Sequence, residues 1–256
     1  IFLLLFNYSF SQETVFELLN SNQTGVEFNN VIEDKKEHNI LLYANYYGGG
    51  GVGIADFDND GLQDLYFGGN LVADKIYRNL GDFKFLDKTE NSGISDNGSW
   101  SSGITIADIN NDGLVDVYVS KELYDDKPEL RRNKLYINKG NFTFEESSKQ
   151  WGVDVSSRTR HAVFFDYNND GHLDLYLLNQ PPNPGSYSKF FGADLSLPEY
   201  SLQLFKNTGN NSFIDVTQEA GLKRTGFPNS VVASDLNQDG YVDLYVANDF
   251  DAPDFL

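Results

Sequence analysis

Four stretches of the chain place apolar residues at alternate positions, and an Asp-rich loop follows each stretch. Directly after each loop comes a short apolar run, DLYF, DVYV, DLYL or DLYV, rich in aliphatic and aromatic side chains. Alternating apolarity and short apolar runs are both typical of β-strands. The pattern therefore predicts four strand–loop–strand units, whose upstream apolar pairs are Val52 and Ile54, Ile104 and Ile106, Ala162 and Phe164, and Val231 and Ala233.

A second pattern, [YF]-x-N-x-G-x-x-x-F, follows the first three units. Asn and Gly between two apolar runs mark a hairpin turn. Each full repeat is therefore predicted to be a four-stranded antiparallel meander, in which the Asp-rich loop joins strands one and two. The three copies are Tyr77, Asn79, Gly81 and Phe85; Tyr136, Asn138, Gly140 and Phe144; and Phe205, Asn207, Gly209 and Phe213.

The repeat period fits a β-propeller. The first Asp residues of successive loops, Asp56, Asp108, Asp166 and Asp235, are 52, 58 and 69 residues apart. Repeats of about 40–50 residues with four strands each are typical of propeller blades, which bury both faces by stacking around an axis. The predicted fold is all-β, a β-propeller of four-stranded antiparallel blades. About four blades are expected in this chain, the last of them incomplete.

The four loops carry the side chains of a calcium site. Positions 1, 3, 5 and 9 of each loop are Asp or Asn, and position 6 is a Gly that allows a sharp turn. Ca²⁺ takes about 6–8 oxygen ligands. Position 7 has no common side chain, so its backbone carbonyl is the expected ligand. The predicted ligands of about four Ca²⁺ sites are Asp56, Asp58, Asp60, Leu62 and Asp64; Asp108, Asn110, Asp112, Leu114 and Asp116; Asp166, Asn168, Asp170, His172 and Asp174; and Asp235, Asn237, Asp239, Tyr241 and Asp243.

Two other interpretations of the loops fit the sequence less well. A single DxDxDG string is as compatible with a solvated acidic turn as with a metal site, but four copies with the same ligand positions favour Ca²⁺. An EF-hand needs a bidentate Glu at position 12 and a helix on each side. Position 12 is instead apolar, and strands are predicted on both sides; the four residues are Phe67, Val119, Leu177 and Val246.

The loops and the strands after them resemble the FG-GAP/VCBS-type repeats of integrin α-subunit propellers. They resemble more closely the secreted cartilage-acidic-protein/UnbV (ASPIC) group. The most specific part is GGGGVGIADFDNDGLQDLYFGGN from Gly48, followed by DKIYRNLGDFKF. The resemblance covers roughly residues 24 to 256. It implies a calcium-loaded propeller, commonly seven-bladed, that binds partners outside the cell, with the family's calcium ligands at the sixteen Asp and Asn positions.

Composition narrows the class of partner and the compartment. The net charge is −19, and thirteen of the 38 acidic residues lie in the four loops. The remaining acidic excess argues against nucleic-acid binding. The opening IFLLLF with Ser9 and Ser11 suggests a signal-peptide remnant over 1–11, with an N-terminal strand as the alternative. A lead-in over 12–47 and propeller repeats over 48–256 complete the predicted organisation, in a secreted or cell-surface protein without a membrane span.

A binding face is expected opposite the calcium loops, because length variation between repeats falls in the connections between strands two and three. The longest connection, Asn179 to Tyr200, includes the aromatic residues Tyr187, Phe190 and Phe191, which suit a protein or glycan partner. A packed cap over the blade is the alternative for this connection. The charged insertion Lys121 to Arg132 is expected to be solvated.

Catalysis is not expected, because the paired carboxylates are assigned as metal ligands. The three histidines, His38, His161 and His172, have neither metal-site nor catalytic-triad spacing. A polysaccharide-active propeller enzyme and a purely structural repeat domain remain as alternatives to a binding or adhesion module.

Overall fold

The computed structural model describes residues 15–43, 45–95, 98–181, 198–249 and 252–256. Its strands form three four-stranded antiparallel sheets and one two-stranded sheet. The strands are β1 Val52–Ala55, β2 Asp64–Phe67, β3 Lys75–Asn79, β4 Phe85–Asp87, β5 Trp100–Ala107, β6 Asp116–Glu122, β7 Lys134–Asn138, β8 Phe144–Glu146, β9 Arg158–Phe165, β10 Asp174–Gln180, β11 Gln203–Asn207, β12 Phe213–Asp215, β13 Pro228–Ser234 and β14 Asp243–Asn248.

Helical segments are short by comparison. They are the α-helices α1 Ser21–Thr24 and α2 Ser148–Trp151, and the 3-10 turns Thr89–Asn91, Pro128–Arg131 and Pro198–Tyr200. Among the described residues, no helix has the length and apolar character of a membrane-spanning segment. The predicted all-β class is confirmed.

Each sheet is a meander in which the strands follow one another in chain order. We call β1–β4 blade 1, β5–β8 blade 2, β9–β12 blade 3 and β13–β14 blade 4. The first strands of neighbouring blades, β1, β5, β9 and β13, contact one another in sequence. This places the first strands at the inner edge, as in a propeller. The loops between strands one and two, here called aspartate loops 1–4, are residues 56–64, 108–116, 166–174 and 235–243.

Apolar side chains fill the space between neighbouring blades. Phe57 and Tyr66 of blade 1 pack against Val117 and Phe144 of blade 2, and equivalent clusters lie between blades 2 and 3 and between blades 3 and 4. Burial of apolar surface contributes about 25 cal/mol per Å². Each blade therefore buries the apolar side chains of a face by packing against a neighbouring blade, and this contact stabilises both.

The glycine-rich stretch before aspartate loop 1 allows blades 1 and 2 to approach closely. A Cβ atom at Gly51 would lie 2.3 Å from the backbone nitrogen of Ile104. One at Gly53 would lie 2.3 Å from Cδ1 of Ile106. A side chain at Gly51 would therefore force the backbone beside β1 away from β5, whereas one at Gly53 would first require the Ile106 side chain to move.

The segment before β1 packs on the ends of the sheets that are remote from the aspartate loops. The ring of Tyr46 stacks on Trp100, at the start of β5, with centroids 5.2 Å apart. The hydroxyl of Tyr43 donates to the carboxylate of Glu122, at the end of β6. The lead-in therefore covers part of the face that the sequence assigned to partner binding.

The charged insertion from Lys121 to Arg132 is not solvated throughout, so this expectation is wrong for its beginning. Lys121 and Glu122 belong to β6 and are fully buried. The Lys121 ammonium donates to Oγ of Ser101 at 2.7 Å and lies 3.8 Å from Oδ2 of Asp74. A buried charge is tolerated when it is paired and hydrogen-bonded, and residues distant in sequence supply these partners.

Some sequence-based predictions lie outside the described residues. The proposed signal-peptide remnant over residues 1–11 is one. Tyr187, Phe190 and Phe191 of the longest connection are others. These expectations stay predictions.

Candidate metal centres

The backbone follows the same path in all four aspartate loops. Position 4 has a positive φ of 58°, 57°, 58° and 63° in loops 1 to 4, and the position-6 glycine has φ of 89°, 85°, 83° and 90°. Gly tolerates this left-handed region freely, and Asn does so better than most other residues. The recurring Asn at position 4 and Gly at position 6 therefore suit the two left-handed positions of each loop. The position-4 residues are Asn59, Asn111, Asn169 and Gln238.

The first Asp of each loop organises the loop backbone. In loop 1 the N–H of Asp60 donates to Oδ1 of Asp56 at 3.0 Å, and the N–H of Gly61 donates to Oδ2 at 2.7 Å. The N–H of Leu62 donates in turn to Oδ1 of Asp60 at 2.9 Å. The same three bonds recur in loops 2, 3 and 4. The loops therefore fold around their own carboxylates.

The Asp at position 9 joins the loop to the third strand of its blade. Asp116 is fully buried; its Oδ2 accepts from the N–H of Ile109 at 3.0 Å, and its Oδ1 accepts from the N–H of Asn138 at 2.8 Å. Asp64 and Asp174 are bound in the same way in blades 1 and 3. In blade 4, Asp243 accepts from the N–H of Leu236 at 2.9 Å.

Burial disfavours the ionised form of these carboxyl groups. It raises the pKa of Asp116 to about 7 and the pKa of Asp64 to about 6, although backbone hydrogen bonds oppose the shift. The pKa of Asp174 is raised for the same reason. Neighbouring loop carboxylates add to the effect. A nearby cation would counter both contributions, because it stabilises the ionised form.

Loop 1 also brings three carboxylates to a common point. Oxygen atoms of Asp56, Asp58 and Asp64 lie within 4.8 Å of one another. Oδ1 of Asp58 is buried and has no hydrogen-bond partner among the described residues. In loops 2, 3 and 4, position 3 is Asn, so an all-carboxylate cluster of this kind is confined to loop 1. The oxygen-only donors and the unpartnered carboxylate oxygen fit a hard divalent cation.

The Asn of the third strand has a larger role than the hairpin turn predicted from sequence. Oδ1 of Asn138 accepts from the N–H of Gly140 at 2.9 Å, and its Nδ2 donates to the carbonyl of Val115 at 3.1 Å. Nδ2 also donates to the carbonyl of Phe57, in the preceding aspartate loop, at 2.9 Å. Asn207 reaches loop 2 in the same way. Each of these residues therefore joins a turn, its own loop and the preceding blade.

A second set of side chains links the aspartate loops of neighbouring blades. Nδ2 of Asn59, at position 4 of loop 1, donates to the carbonyl of Gly113, at position 6 of loop 2, at 3.0 Å. Asn111 donates to Gly171 at 3.3 Å, and Asn169 donates to Gly240 at 3.0 Å. We call these three bonds the loop clasp. The repeated Asn at position 4 was the available signal in the sequence.

A family model described as FG-GAP-like repeat matches residues 56–119, 125–177 and 191–246, which is more than half of the chain. The chain belongs to the FG-GAP-like repeat family. The first matched range includes aspartate loops 1 and 2, and the second and third ranges include loops 3 and 4. The resemblance stated from the sequence is thereby confirmed.

Curated relatives of this FG-GAP-like chain include cartilage acidic protein 1 and integrin alpha-8. Cartilage acidic protein 1 from Homo sapiens is 22% identical over 203 residues, covering 79% of this chain and 28% of that protein. Cartilage acidic protein 1 from Xenopus tropicalis is 26% identical over 135 residues, covering 52% and 20%. Integrin alpha-8 from Gallus gallus is 25% identical over 181 residues, covering 66% and 16%. The chain spans less than a third of the length of these relatives.

Among solved structures, a lectin from Agrocybe aegerita that recognises non-reducing terminal N-acetylglucosamine superposes with a TM-score of 0.44. It is 19% identical, and the match covers 76% of this chain and 46% of that protein.

All twenty predicted ligand residues lie in the aspartate loops of the FG-GAP-like fold. Positions 1, 5 and 9 hold the loop together in every copy, and position 7 donates its N–H to position 5. In loop 1, positions 1, 3 and 9 converge. Their assignment as calcium ligands stays a prediction.

We predict that the loop clasp stabilises the fold. Asn111→Gly removes the bond to Gly171 while retaining a residue that tolerates the positive φ. Asn211→Gly is the matched control, because Asn211 is also exposed with φ of 55° and has no side-chain hydrogen bond among the described residues. Urea denaturation should show that Asn111→Gly lowers the free energy of unfolding by about 1 kcal/mol more than the control. Equal losses in the two variants would contradict this role.

Proposed function

We propose that this chain is a calcium-binding β-propeller that acts outside the cell as a binding or adhesion module. The observation that carries the proposal is the common geometry of the four aspartate loops. All four copies have a carboxyl or amide oxygen at positions 1, 3, 5 and 9. Loop 1 leaves a buried carboxylate oxygen of Asp58 without a hydrogen-bond partner among the described residues. Relationship to proteins named as cartilage acidic protein and integrin alpha supports the extracellular role.

The proposed ligands are the twenty residues named from the sequence. Positions 1, 3, 5 and 9 would supply side-chain oxygens, and position 7 would supply a backbone carbonyl. Bound calcium would supply positive charge to each loop. Because an Asp at position 9 is buried in blades 1, 2 and 3, the ion would stabilise the fold where the loop joins the third strand.

We place the partner site on the face opposite the aspartate loops. There, a cleft of about 220 Å³ is lined by Asp125, Arg131, Ser157, Arg158, Glu199 and Tyr200. Asp125 forms ion pairs with both arginines. An aromatic ring beside arginines and carboxylates suits a polar partner, such as a glycan or a hydrophilic protein loop.

Calcium is expected to raise the thermal stability of the chain. Extracellular calcium sites commonly have Kd values of about 10⁻⁴–10⁻³ M. At about 1 mM Ca²⁺ and a Kd near 0.1 mM, each site would contribute about 1.4 kcal/mol, so four independent sites would contribute about 6 kcal/mol. Thermal melting in Ca²⁺ and in EGTA measures the difference. Mg²⁺ at the same concentration is the control and should protect less, because it requires stricter octahedral geometry. An unchanged melting temperature in EGTA would contradict the proposal.

Replacement of one position-9 Asp should remove one site. Asp116→Ala deletes a predicted ligand of loop 2, so calorimetric titration should count three calcium ions instead of four. The melting temperature in EGTA should also be lower than that of the unsubstituted chain, because two backbone N–H groups lose their acceptor. Asp126→Ala is the control, since Asp126 is an exposed carboxylate remote from the aspartate loops. A full stoichiometry in Asp116→Ala would remove Asp116 from the ligand set.

Partner binding should depend on the cleft at Tyr200. A glycan array probed with the chain in about 1 mM Ca²⁺ would identify a ligand class, and a polysaccharide degradation panel would identify an enzyme instead. For a ligand so identified, Tyr200→Ala should weaken binding about thirtyfold or more, since buried aromatic contacts contribute about 2 kcal/mol or more. Phe83→Ala is the control, because Phe83 is an exposed aromatic residue between β3 and β4, at the aspartate-loop end and outside the proposed ligand set. An equal effect of both substitutions would place the partner site elsewhere.

A further inference from the structure

The residue immediately before the third-strand Asn differs between the blades and approaches the aspartate loop in two of them. In blade 1 this residue is Arg78. Its Nε lies 2.8 Å from Oδ2 of Asp58, and its Nη2 lies 3.0 Å from Oδ2 of Asp60. Positions 3 and 5 of loop 1 are thus joined to a single guanidinium.

Blades 2 and 3 offer a natural comparison. In blade 3 the equivalent residue is Lys206, whose ammonium lies 3.3 Å from Oδ2 of Asp170, at position 5 of loop 3. In blade 2 it is Ile137, which is buried in the core between blades 2 and 3. Among the described ion pairs, none involves a carboxylate of loop 2. In blades 1 and 3 this strand position therefore has a cationic side chain that approaches the aspartate loop. In blade 2 it has an apolar side chain that packs in the core between blades 2 and 3.

The charge of each loop follows from these contacts. Loop 1 has four carboxylates, because its position 3 is Asp58. Its one neighbouring cation is Arg78. Loop 2 has three carboxylates and no cation. Loop 3 has three carboxylates and one cation. The formal charge is thus −3 in loops 1 and 2 but only −2 in loop 3.

We propose that the residue before the third-strand Asn sets the calcium affinity of the adjacent loop. The inference rests on the proposed calcium binding. Arg78 offsets the additional carboxylate of Asp58, so that loop 1 binds about as tightly as loop 2. Lys206 has no additional carboxylate to offset, and loop 3 is consequently the weakest of the three sites.

Two physical effects act in the same direction. In the calcium-bound state the side-chain cation repels the ion. In the calcium-free state it relieves repulsion between the loop carboxylates, which lowers the free energy of the unbound loop. Both effects weaken binding, and calcium affinity is known to depend on ligand charge and site rigidity. A purely positioning role would have the opposite sign, because loss of Arg78 would then leave Asp58 and Asp60 misplaced and would weaken binding.

The four position-6 glycines allow each site to be measured separately. The backbone N–H groups of Gly61, Gly113, Gly171 and Gly240 each donate to the first Asp of their own loop. In ¹⁵N-glycine-labelled chain, the amide resonance of each glycine should therefore report calcium binding at its own loop. In the unsubstituted chain, Gly171 should titrate at a higher calcium concentration than Gly61 and Gly113.

Replacing one of these cations by an uncharged residue should change the calcium-titration midpoint of the glycine in the adjacent loop only. Lys206→Ile should lower the Gly171 midpoint to that of Gly113, and Arg78→Ile should lower the Gly61 midpoint below it. Each change should be about three- to tenfold at low salt and smaller at high salt, because the interaction is electrostatic. Arg78→Gln should change the Gly61 midpoint in the same direction. Because Gln is polar, this result would show that the change comes from loss of the charge and not from the apolar character of Ile. The double variant Asp58→Asn with Arg78→Ile reproduces the charges of loop 2 and should bring Gly61 back to the Gly113 midpoint.

Lys75→Ile is the matched control. Lys75 is on the same strand as Arg78 and is paired with Asp87 at 2.8 Å, remote from loop 1; its loss should leave the Gly61 midpoint unchanged. Unchanged or weaker binding at loop 1 in both Arg78 variants, with glycines of all loops still titrating, would overturn this inference alone. Failure of all four glycines to respond in the unsubstituted chain would overturn the proposed calcium binding and this inference with it.

Discussion

The buried Asp at position 9 is the constraint on which each complete blade depends. Its two carboxylate oxygens accept backbone N–H groups from position 2 of the loop and from the third strand, as Asp116 does with Ile109 and Asn138. A carboxylate buried in this way is costly unless its hydrogen bonds and its charge are both satisfied. The protein satisfies the hydrogen bonds. A cation bound in the adjacent Asp-rich loop would offset the charge.

The same loops also connect one blade to the next, so loop geometry and blade packing depend on each other. Asn59 can reach Gly113 only while both loops keep their left-handed turns and the two blades keep their spacing. Asn138 has the complementary role, since it reaches back from blade 2 to the carbonyl of Phe57. Phe57 belongs to the apolar core between the same blades. A change in one loop is therefore transmitted through hydrogen bonds and through the core that they border.

The sequence predicted the repeated features and missed those that depend on tertiary placement. Alternating apolar positions and the Asp-rich strings predicted the strands, the loops and the meander order. These patterns could be recognised because they recur in each repeat. Nothing near Lys121 indicates burial; Ser101 and Asp74, which surround it, come from other parts of the chain. The contact of Arg78 with Asp58 was missed for the same reason, since about twenty residues separate them in sequence.

The two ends of the blades are consequently subject to different physical constraints. At the aspartate-loop end, the fixed length of each loop is required by the clasp and by the position-9 carboxylate, so an insertion would break bonds to two elements. At the opposite end, the connections between strands two and three vary in length, and the lead-in covers Trp100 and Glu122 with aromatic side chains. Variation there changes the exposed surface while leaving the loop bonds intact. The end remote from the candidate metal centres is therefore the one where the surface can change without disturbing the aspartate loops.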